Sequence, residues 1–259
     1  MIKYKLKIEY NGTRYSGWQE QKNSDKTIQG KILNALSQLF GNTIEFIGSG
    51  RTDSGVHAIE QVAHLVLEKN FLPQKIQFGL NDLLPSDINI LNVEKVDLKF
   101  HARYNAKSRI YVYQIAKRRT AFGKEFCWWI KDELNFSKMQ TASQQFVGMH
   151  NFVSFCDKRF EKSKSTKCLI EKIEMKETDN FILIRTCASH FLWKMVRRIV
   201  GTLVEVGREN ILPTQINYFL SNEVDDIAKF TAPPSGLFLE KITYDEKKIT
   251  KELNPLFFF

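Results

Sequence analysis

Two kinds of hydrophobic periodicity alternate along this chain, and they constrain its fold more than any other feature. YKLKIEY (4–10) alternates polar and apolar residues as a half-buried strand does, whereas TIQGKILNALSQLF (27–40) repeats apolar residues at helical spacing. Thr27 is suited to cap that helix and Gly41 to end it. Further strand patterns occur at 43–50, 57–67 and 88–97, and a helical pattern occurs at 73–84.

The second half of the chain repeats this rhythm. Strand patterns occur at 109–117, 169–175, 181–189 and 235–244, and helical patterns at 137–148 and 191–207. Asp179-Asn180 is typical of the turn between two hairpin strands. We therefore predict an α+β protein of two similar halves, 1–100 and 101–259, each with an antiparallel sheet and packed helices. This duplication depends on the pattern alone, since the sequence shows no repeat.

The composition is that of a soluble globular protein, with 43% apolar and 26% charged residues among 259. No stretch approaches the roughly 20 apolar residues that cross a bilayer, so we predict no membrane association. The first residues, MIKYKLKIEY, lack the apolar run of a signal peptide. We therefore expect a cytoplasmic location.

Cysteine and histidine spacing gives no sign of a metal site. The four cysteines are scattered without a CxxC pair, and the five histidines form no HExxH or HxxxH pair. We expect free thiols and no bound metal. Ligands brought together from distant positions are the alternative that spacing leaves open.

Positive charge is concentrated in two stretches of a chain whose net charge is +9. Residues 100–120 contain six basic residues, no acidic residue, and Tyr104, Tyr111 and Tyr113. Residues 158–172 contain six more, in a predicted loop. Basic residues beside aromatic residues suit contacts with RNA phosphates and bases, and a solvated basic surface is the alternative. The six in the first stretch are Arg103, Lys107, Arg109, Lys117, Arg118 and Arg119.

GSGRTDSGVH (48–57) fits none of three glycine-rich sites. A Walker loop needs a lysine after its second glycine, where Val56 stands. A dinucleotide fingerprint needs a glycine where Asp53 stands, and an aspartate there would repel a pyrophosphate. A serine nucleophile elbow needs a glycine two residues before Ser54, where the chain has Thr52.

A carboxylate at the end of a strand remains. Residues i and i+2 of a strand share a face, so Arg51 could orient Asp53 and keep it ionised, while Gly55 allows a sharp turn. Such an aspartate could act as a nucleophile. An aspartate turn with a surface ion pair is the alternative, and His57 is either a base or a strand-start residue.

Five motifs in order along the chain resemble the TruA family of tRNA pseudouridine synthases. Small departures are Asn11 and Asn151 in place of a frequent aspartate, Ser54 in place of alanine, and Glu209 in place of glycine. The motifs are YNGTRYSGWQEQ (10–21), GSGRTDSGVHA (48–58), FHARYNAKSRIYVY (100–113), SHFLWKMVRRIVGTLVEVG (189–207) and APPSGLFLEKITY (232–244).

The resemblance implies a pseudouridine synthase-like fold with an active-site cleft between the halves. It implies that Asp53 is catalytic, that Tyr111 stacks on the base, and that Arg51 and Arg197 bind the substrate, with Arg197 paired to the aspartate. Tyr113 shares the face of Tyr111 and is expected in the core. Residues expected with less support to bind RNA are Lys194, Arg198, Arg103, Lys107 and Arg109.

The resemblance also implies a reaction. The family replaces the N1–C1′ bond of uridine by a C5–C1′ bond, without metal or cofactor, in the anticodon stem-loop of tRNA around positions thirty-eight to forty. Asp53 attacks either the base or the sugar carbon. The family acts as a homodimer. Two other functions remain open: a non-catalytic tRNA-binding protein or RNA chaperone, and a hydrolase in which Asp53 and His57 act together.

Overall fold

The computed structural model describes residues 1–41, 45–159, 165–245 and 251–257. Within these ranges it is a mixed α+β structure, which confirms the predicted class. None of the helices described there is long and apolar enough to span a bilayer. The strands are β1 (Ile2–Tyr10), β2 (Glu45–Gly48), β3 (His57–Leu67), β4 (Ile88–Val96), β5 (Ser108–Ala116), β6 (Trp128–Trp129), β7 (Gly148–Asn151), β8 (Lys167–Glu177), β9 (Phe181–Ala188) and β10 (Leu237–Thr243). The α-helices are α1 (Ile28–Phe40), α2 (Pro73–Leu83), α3 (Phe136–Gln144), α4 (Met195–Gly207) and α5 (Gln215–Ser221).

The chain divides into two compact units. The predicted division at residue 100 assigns the segment Phe238–Lys247 to the second half. In the structure this segment belongs to the first unit, because Phe238 in β10 pairs in parallel with His57 in β3. The units are Met1–Lys107 with Phe238–Lys247, and Ser108–Leu237 with Lys248–Phe259.

The first unit is built on a largely antiparallel sheet with the strand order β4-β1-β3-β10. β1 is antiparallel to both β3 and β4, and β2 also pairs with β3. Along β1 every second side chain is buried, as its alternating sequence predicts. The buried side chains are Tyr4, Leu6, Ile8 and Tyr10.

Helix α1 has the ends that the sequence predicts. The Oγ1 of Thr27 accepts a hydrogen bond from the amide of Gly30 at 3.2 Å, and Gly41 follows the helix with φ +72°. The apolar face of α1, including Ile32 and Leu36, is buried. Both the cap and the stop are therefore confirmed.

The strands of the second unit follow the order β5-β9-β8-β7, and these neighbours pair antiparallel. β6 pairs with β5 in parallel. β8 and β9 form a hairpin that turns around Asp179 and Asn180, as predicted. β5 and β9 are buried along almost their whole length.

Helix α4 begins four residues later than the predicted start at Phe191. Lys194, the residue before the helix, has φ +63°, a left-handed conformation that an α-helix cannot contain. The amide of Met195 instead donates to the carbonyl of Leu192 at 3.1 Å. The prediction is therefore wrong for residues 191–194.

The second basic stretch, 158–172, is only partly a loop. Its central part, residues 160–164, lies outside the described residues. Lys167 and Lys172 are in β8 and not in a loop, so the prediction is wrong for these two.

Candidate active site

The glycine-rich stretch after β2 forms a loop that holds Asp53. β2 ends at Gly48 and β3 begins at His57, so Asp53 lies between two paired strands. Its side chain is half-buried. Gly55 has φ +77°, a left-handed conformation that favours glycine, and the turn closes where Val56 N–H donates to the Asp53 carbonyl at 3.2 Å. This confirms the predicted sharp turn after Asp53.

Segment 11–18 holds this loop on both sides of Asp53. One hydrogen bond is made to the residue before Asp53, and two are made by residues that follow it. The hydrogen bonds run from Trp18 N–H to the Thr52 carbonyl (3.1 Å), from Gly55 N–H to the Tyr15 carbonyl (3.3 Å) and from Ser54 Oγ to the same carbonyl (3.0 Å). The backbone that positions the Asp53 carboxylate is therefore hydrogen-bonded to the motif YNGTRYSGWQEQ (10–21).

Two glycines allow segment 11–18 to approach the loop so closely. A Cβ at Gly12 would overlap the carbonyl oxygen of Val56, and a Cβ at Gly17 would lie 2.7 Å from the carbonyl oxygen of Thr52. Gly17 also has φ +101°. The motif at residues 10–21 thus supports the motif at residues 48–58. The spacing of residues in the sequence does not reveal this contact.

His57 is an interior residue of the first unit. It is 1% exposed, and its ring stacks on that of Phe238 with centroids 4.7 Å apart. Its Nδ1 accepts a hydrogen bond from the amide of Gly12 at 3.1 Å, so this atom is not available to take a proton from a substrate. The geometry supports the strand-start reading of His57 and weakens the hydrolase reading.

Arg51 is exposed and does not form the predicted pair with Asp53. Within the ranges that the structure describes, its guanidinium makes no ion pair. The prediction is wrong because β2 ends at Gly48, so the alternation of side chains along a strand does not extend to residues 51–53. A contact of Arg51 with substrate is a separate prediction.

Asp87 supports the site and was missed by the sequence analysis. Its carboxylate accepts hydrogen bonds from Tyr15 Oη at 2.5 Å and from Arg14 Nη2 at 2.6 Å, and its carbonyl accepts from Asn11 N–H at 2.9 Å. Burial and the Asp87 carboxylate raise the pKa of the Tyr15 hydroxyl. More than seventy residues separate Asp87 from its partners, so no local pattern could have indicated this role.

Tyr111 and Tyr113 lie on the same face of β5. Tyr111 is 8% exposed, and its ring meets Phe191 edge-on at 5.1 Å. Tyr113 is fully buried and donates from its hydroxyl to the Pro233 carbonyl at 2.8 Å. Burial raises the pKa of the Tyr113 hydroxyl well above its ordinary value. Tyr113 is therefore a core residue, as predicted.

Arg197 is held in the first turn of α4 by reciprocal hydrogen bonds. Its Nε donates to the Ala232 carbonyl at 2.7 Å, and the Ala232 amide donates to the Arg197 carbonyl at 3.0 Å. One turn further, Gly201 allows the same segment to pack closely, because a Cβ there would overlap the Phe230 carbonyl oxygen. This face of α4 is thus packed against residues 230–232.

The neighbouring residue Arg198 does not face solvent. It is 6% exposed, and its Nη1 donates to the carbonyls of Ser154 and Cys156. Burial lowers the pKa of its guanidinium. The prediction that Arg198 binds RNA is therefore wrong, since its side chain is buried and its Nη1 binds backbone carbonyls inside the second unit. Lys194 is half-buried, and its ammonium forms an ion pair with Asp157 at 2.8 Å.

The other predicted RNA-binding residues occupy different positions. Arg103 and Lys107 are exposed in the first unit, where they precede β5. Arg109 is half-buried in β5 of the second unit, and its Nη1 donates to the Ser189 carbonyl at 2.8 Å. Exposure therefore favours Arg103 and Lys107 for phosphate contacts.

The four cysteines are buried free thiols, as predicted. In the described ranges, no three side chains of His, Cys, Asp or Glu come together in a group that could hold a metal ion.

Comparison with known proteins gives a match over both units. A model of the family described as tRNA pseudouridine synthase matches residues 7–105 and 142–245, which include the Asp53 loop and α4. The chain is 42% identical to tRNA pseudouridine synthase A of Bacillus sp. (strain KSM-64), over 94% of this chain and 100% of the relative. With the same coverage, it is 39% identical to tRNA pseudouridine synthase A of Wolbachia pipientis wMel and 38% identical to that of Clostridium botulinum (strain Alaska E43 / Type E3).

Proposed function

Because the chain belongs to the TruA family of tRNA pseudouridine synthases, which convert uridine to pseudouridine in tRNA, we propose that it modifies the anticodon stem-loop around positions thirty-eight to forty. In this reaction the N1–C1′ bond breaks, the uracil rotates, and a C5–C1′ bond forms. The C5 hydrogen leaves as a proton, and N1 gains one. Atoms and electrons therefore balance without an external oxidant or reductant.

Asp53 is the proposed catalytic carboxylate. The single observation that supports it most is the fixation of its loop, since hydrogen bonds from segment 11–18 hold the backbone immediately before and after it. A nucleophile must be held within a fraction of an ångström of its target, and a loop tied on both sides meets this requirement. The half-buried carboxylate can reach a bound nucleotide while its backbone stays in place.

Tyr111 is the proposed residue that stacks on the extruded uracil. Its ring is fixed in β5 by Phe191, so a base can bind against it without a loss of side-chain freedom. Its hydroxyl would lie near the glycosidic bond. Tyr113, two residues on, cannot take this role because its hydroxyl is used inside the core.

Arg197 and Arg51 are the proposed cations that bind the substrate. The hydrogen bond from Arg197 Nε to Ala232 fixes the plane of the guanidinium, and a fixed plane gives directed hydrogen bonds to carboxylate or phosphate oxygens. Arg51 is exposed beside Asp53 in the loop, where a guanidinium can contact the RNA backbone.

The exposed basic residues Arg103 and Lys107, together with the net charge of +9, suit the phosphates of a tRNA. Arg109 has a protein partner, the Ser189 carbonyl, so we propose that it contributes to the electrostatic potential more than to direct contacts. The proposal also includes a homodimer and a cytoplasmic location, both of which fit an enzyme that acts on tRNA.

The test is incubation of an unmodified tRNA transcript with the protein, followed by chemical mapping of pseudouridine. The wild-type chain is expected to modify uridines at positions thirty-eight to forty, and a transcript with cytidines there is expected to stay unmodified. Asp53→Asn should bind the transcript and leave it unchanged. Asp82→Asn is the matched control, because Asp82 is an exposed aspartate of the same unit, in α2.

Three outcomes would contradict parts of the proposal. Modification at other uridines would overturn the stem-loop assignment. Equal turnover by Asp53→Asn would overturn the catalytic role of Asp53. Binding of tRNA without modification by the wild-type chain would favour the non-catalytic RNA-binding alternative.

A further inference from the structure

Trp193 and Arg159 form an ordered stack on the surface of the second unit. The indole of Trp193 is 38% exposed. The guanidinium carbon of Arg159 lies 4.2 Å from the centre of the indole, and the Lys194 ammonium lies 5.6 Å from it. Both distances are within the range of cation–π attraction.

One buried carboxylate holds this arrangement together. Asp157 is 7% exposed and accepts from the Arg159 guanidinium through both oxygens, from Nε at 3.0 Å and from Nη2 at 3.1 Å. It also forms the ion pair with Lys194, and its own amide donates to the Trp193 carbonyl at 3.1 Å. Two cations share one carboxylate, so the cluster retains one positive charge.

Ordering this cluster has an entropic cost. The Arg159 side chain is 68% exposed, and an exposed arginine loses rotamer freedom when it is fixed between a carboxylate and a ring. What the ordering provides is a flat, positively charged surface of guanidinium on indole. Flat aromatic and guanidinium surfaces are the groups on which unpaired nucleobases stack, and the remaining positive charge suits the adjoining phosphate.

The position of the cluster in the chain connects it with the proposed site. Trp193 and Lys194 immediately precede α4, and Arg197 is in the first turn of that helix. The same carboxylate that orders the stack also holds Lys194, whose left-handed conformation determines where the helix begins. A nucleotide bound at the stack would therefore lie on the segment that leads into the helix of Arg197.

We propose that Trp193, Arg159 and Lys194 form a stacking site for one unpaired nucleotide of the RNA substrate, distinct from the uridine that reacts. This inference rests on the proposed function only in taking tRNA as the ligand. Trp193 supplies the ring, Arg159 the planar cation, and Lys194 a charge for the phosphate. Asp157 is a positioning residue that does not contact the RNA.

The experiment measures the affinity of the full chain for a fluorescein-labelled tRNA transcript, in the Asp53→Asn background so that the RNA is not converted. Trp193→Ala is expected to weaken binding about tenfold, the effect of losing one stacked base. Trp193→Phe is expected to retain most of the affinity because it keeps an aromatic face. Since no charge is removed, the salt dependence of binding should be the same for both variants.

Trp129→Ala is the matched control. Trp129 is also an exposed tryptophan of the second unit, 42% exposed, with Arg119 6.0 Å from its ring centre. The affinity of Trp129→Ala for the transcript is expected to stay within twofold of that of the Asp53→Asn parent. An affinity of Trp193→Ala within twofold of the parent, or an equal loss in Trp129→Ala, would overturn the stacking site.

A third variant separates stacking from charge. Arg159→Lys keeps the charge and removes the planar guanidinium, so it is expected to weaken binding several-fold; unchanged affinity would contradict the role of Arg159. Failure of the proposed function is recognised separately, by the absence of pseudouridine in transcripts treated with the wild-type chain. The measured affinities test the stacking site whether or not the wild-type chain forms pseudouridine.

Discussion

The amide of Gly12 donates a hydrogen bond to Nδ1 of His57, across 45 residues of sequence. This bond fixes the neutral tautomer of His57 with its proton on Nε2. It joins the segment that supports the Asp53 loop to the first residue of β3, the strand that follows the loop. The loop is thus enclosed between two points of attachment in the same unit.

A methyl group at Gly12 should therefore damage the site. In Gly12→Ala the new Cβ overlaps the Val56 carbonyl oxygen, so the segment must move away from the Asp53 loop. We expect a loss of about 2–4 kcal/mol in the free energy of unfolding, as for other severe steric changes, and a lower kcat. Urea denaturation and single-turnover kinetics measure the two effects.

Gly50→Ala is the control for this prediction. Gly50 belongs to the glycine-rich motif, but nothing lies within 4 Å of a Cβ built there. We expect stability within about 0.5 kcal/mol of wild type, the usual range for surface substitutions. Equal damage from both substitutions would show that the close contact of Gly12 is not the cause.

Removal of single hydroxyls should separate the two tyrosines of β5. Tyr111→Phe keeps the ring that is proposed to stack on uracil, so it should bind tRNA normally and turn over at least tenfold more slowly. Tyr113→Phe removes the hydrogen bond to the Pro233 carbonyl and should cost about 1 kcal/mol of stability while turnover is retained. Rate constants and melting temperatures of both variants test this, and full turnover by Tyr111→Phe would contradict a role for its hydroxyl.

Asp157 should make the stability of the second unit depend on pH. The Arg159 guanidinium, followed by Lys194, holds the pKa of the Asp157 carboxyl well below its ordinary value of 3.8. Because the folded pKa is the lower one, the stabilisation is fully present well above pH 3.8 and is lost as pH falls below it. Asp157→Asn should therefore melt at a lower temperature than wild type at pH 7.

Asp157→Asn also tests the direction of this pH dependence. The difference in melting temperature between Asp157→Asn and wild type should shrink as the pH falls from about 5 towards 3, because the wild-type carboxylate loses its advantage. A difference that stays constant over this interval would mean that the carboxylate charge does not contribute.

Glu209 should be replaceable by glycine with a gain in stability. It follows the end of α4 with φ +64°, a conformation that favours glycine, and its ion pair with Lys138 at 3.0 Å is at the surface. The free energy gained when glycine relieves the backbone strain should exceed the free energy lost with the ion pair. Glu209→Gly should therefore raise the melting temperature by about 2 °C. Glu209→Ala loses the pair without relieving the backbone and should melt below wild type. The reverse order in calorimetry would refute this account.

Local patterns in the sequence predicted the elements that local forces determine. Thr27 and Gly41 set the ends of α1 through hydrogen bonds and backbone angles within a few residues. The alternation in β1 predicted which side chains are buried, because a strand has only two faces. Gly55 predicted the turn after Asp53, which depends on one left-handed residue.

Features determined by distant residues could not be predicted in this way. The start of α4 depends on Lys194, whose partner Asp157 belongs to another segment. Arg198 was expected to bind RNA, but the carbonyls of Ser154 and Cys156 bind it in the interior. Asp87 anchors the support of the site from a position that carries no local pattern.

The parallel pairing of β10 with β3 has a consequence for synthesis of the protein on the ribosome. His57 and Ala58 find their partners in Phe238 and Leu239, which are translated some 180 residues later. Until then the strand that follows the Asp53 loop has an open edge at its first residues, where foreign strands could pair. The nascent chain would thus complete the surroundings of its proposed nucleophile only after Phe238 and Leu239 have been translated, and a chaperone that shields this edge would be most useful before that point.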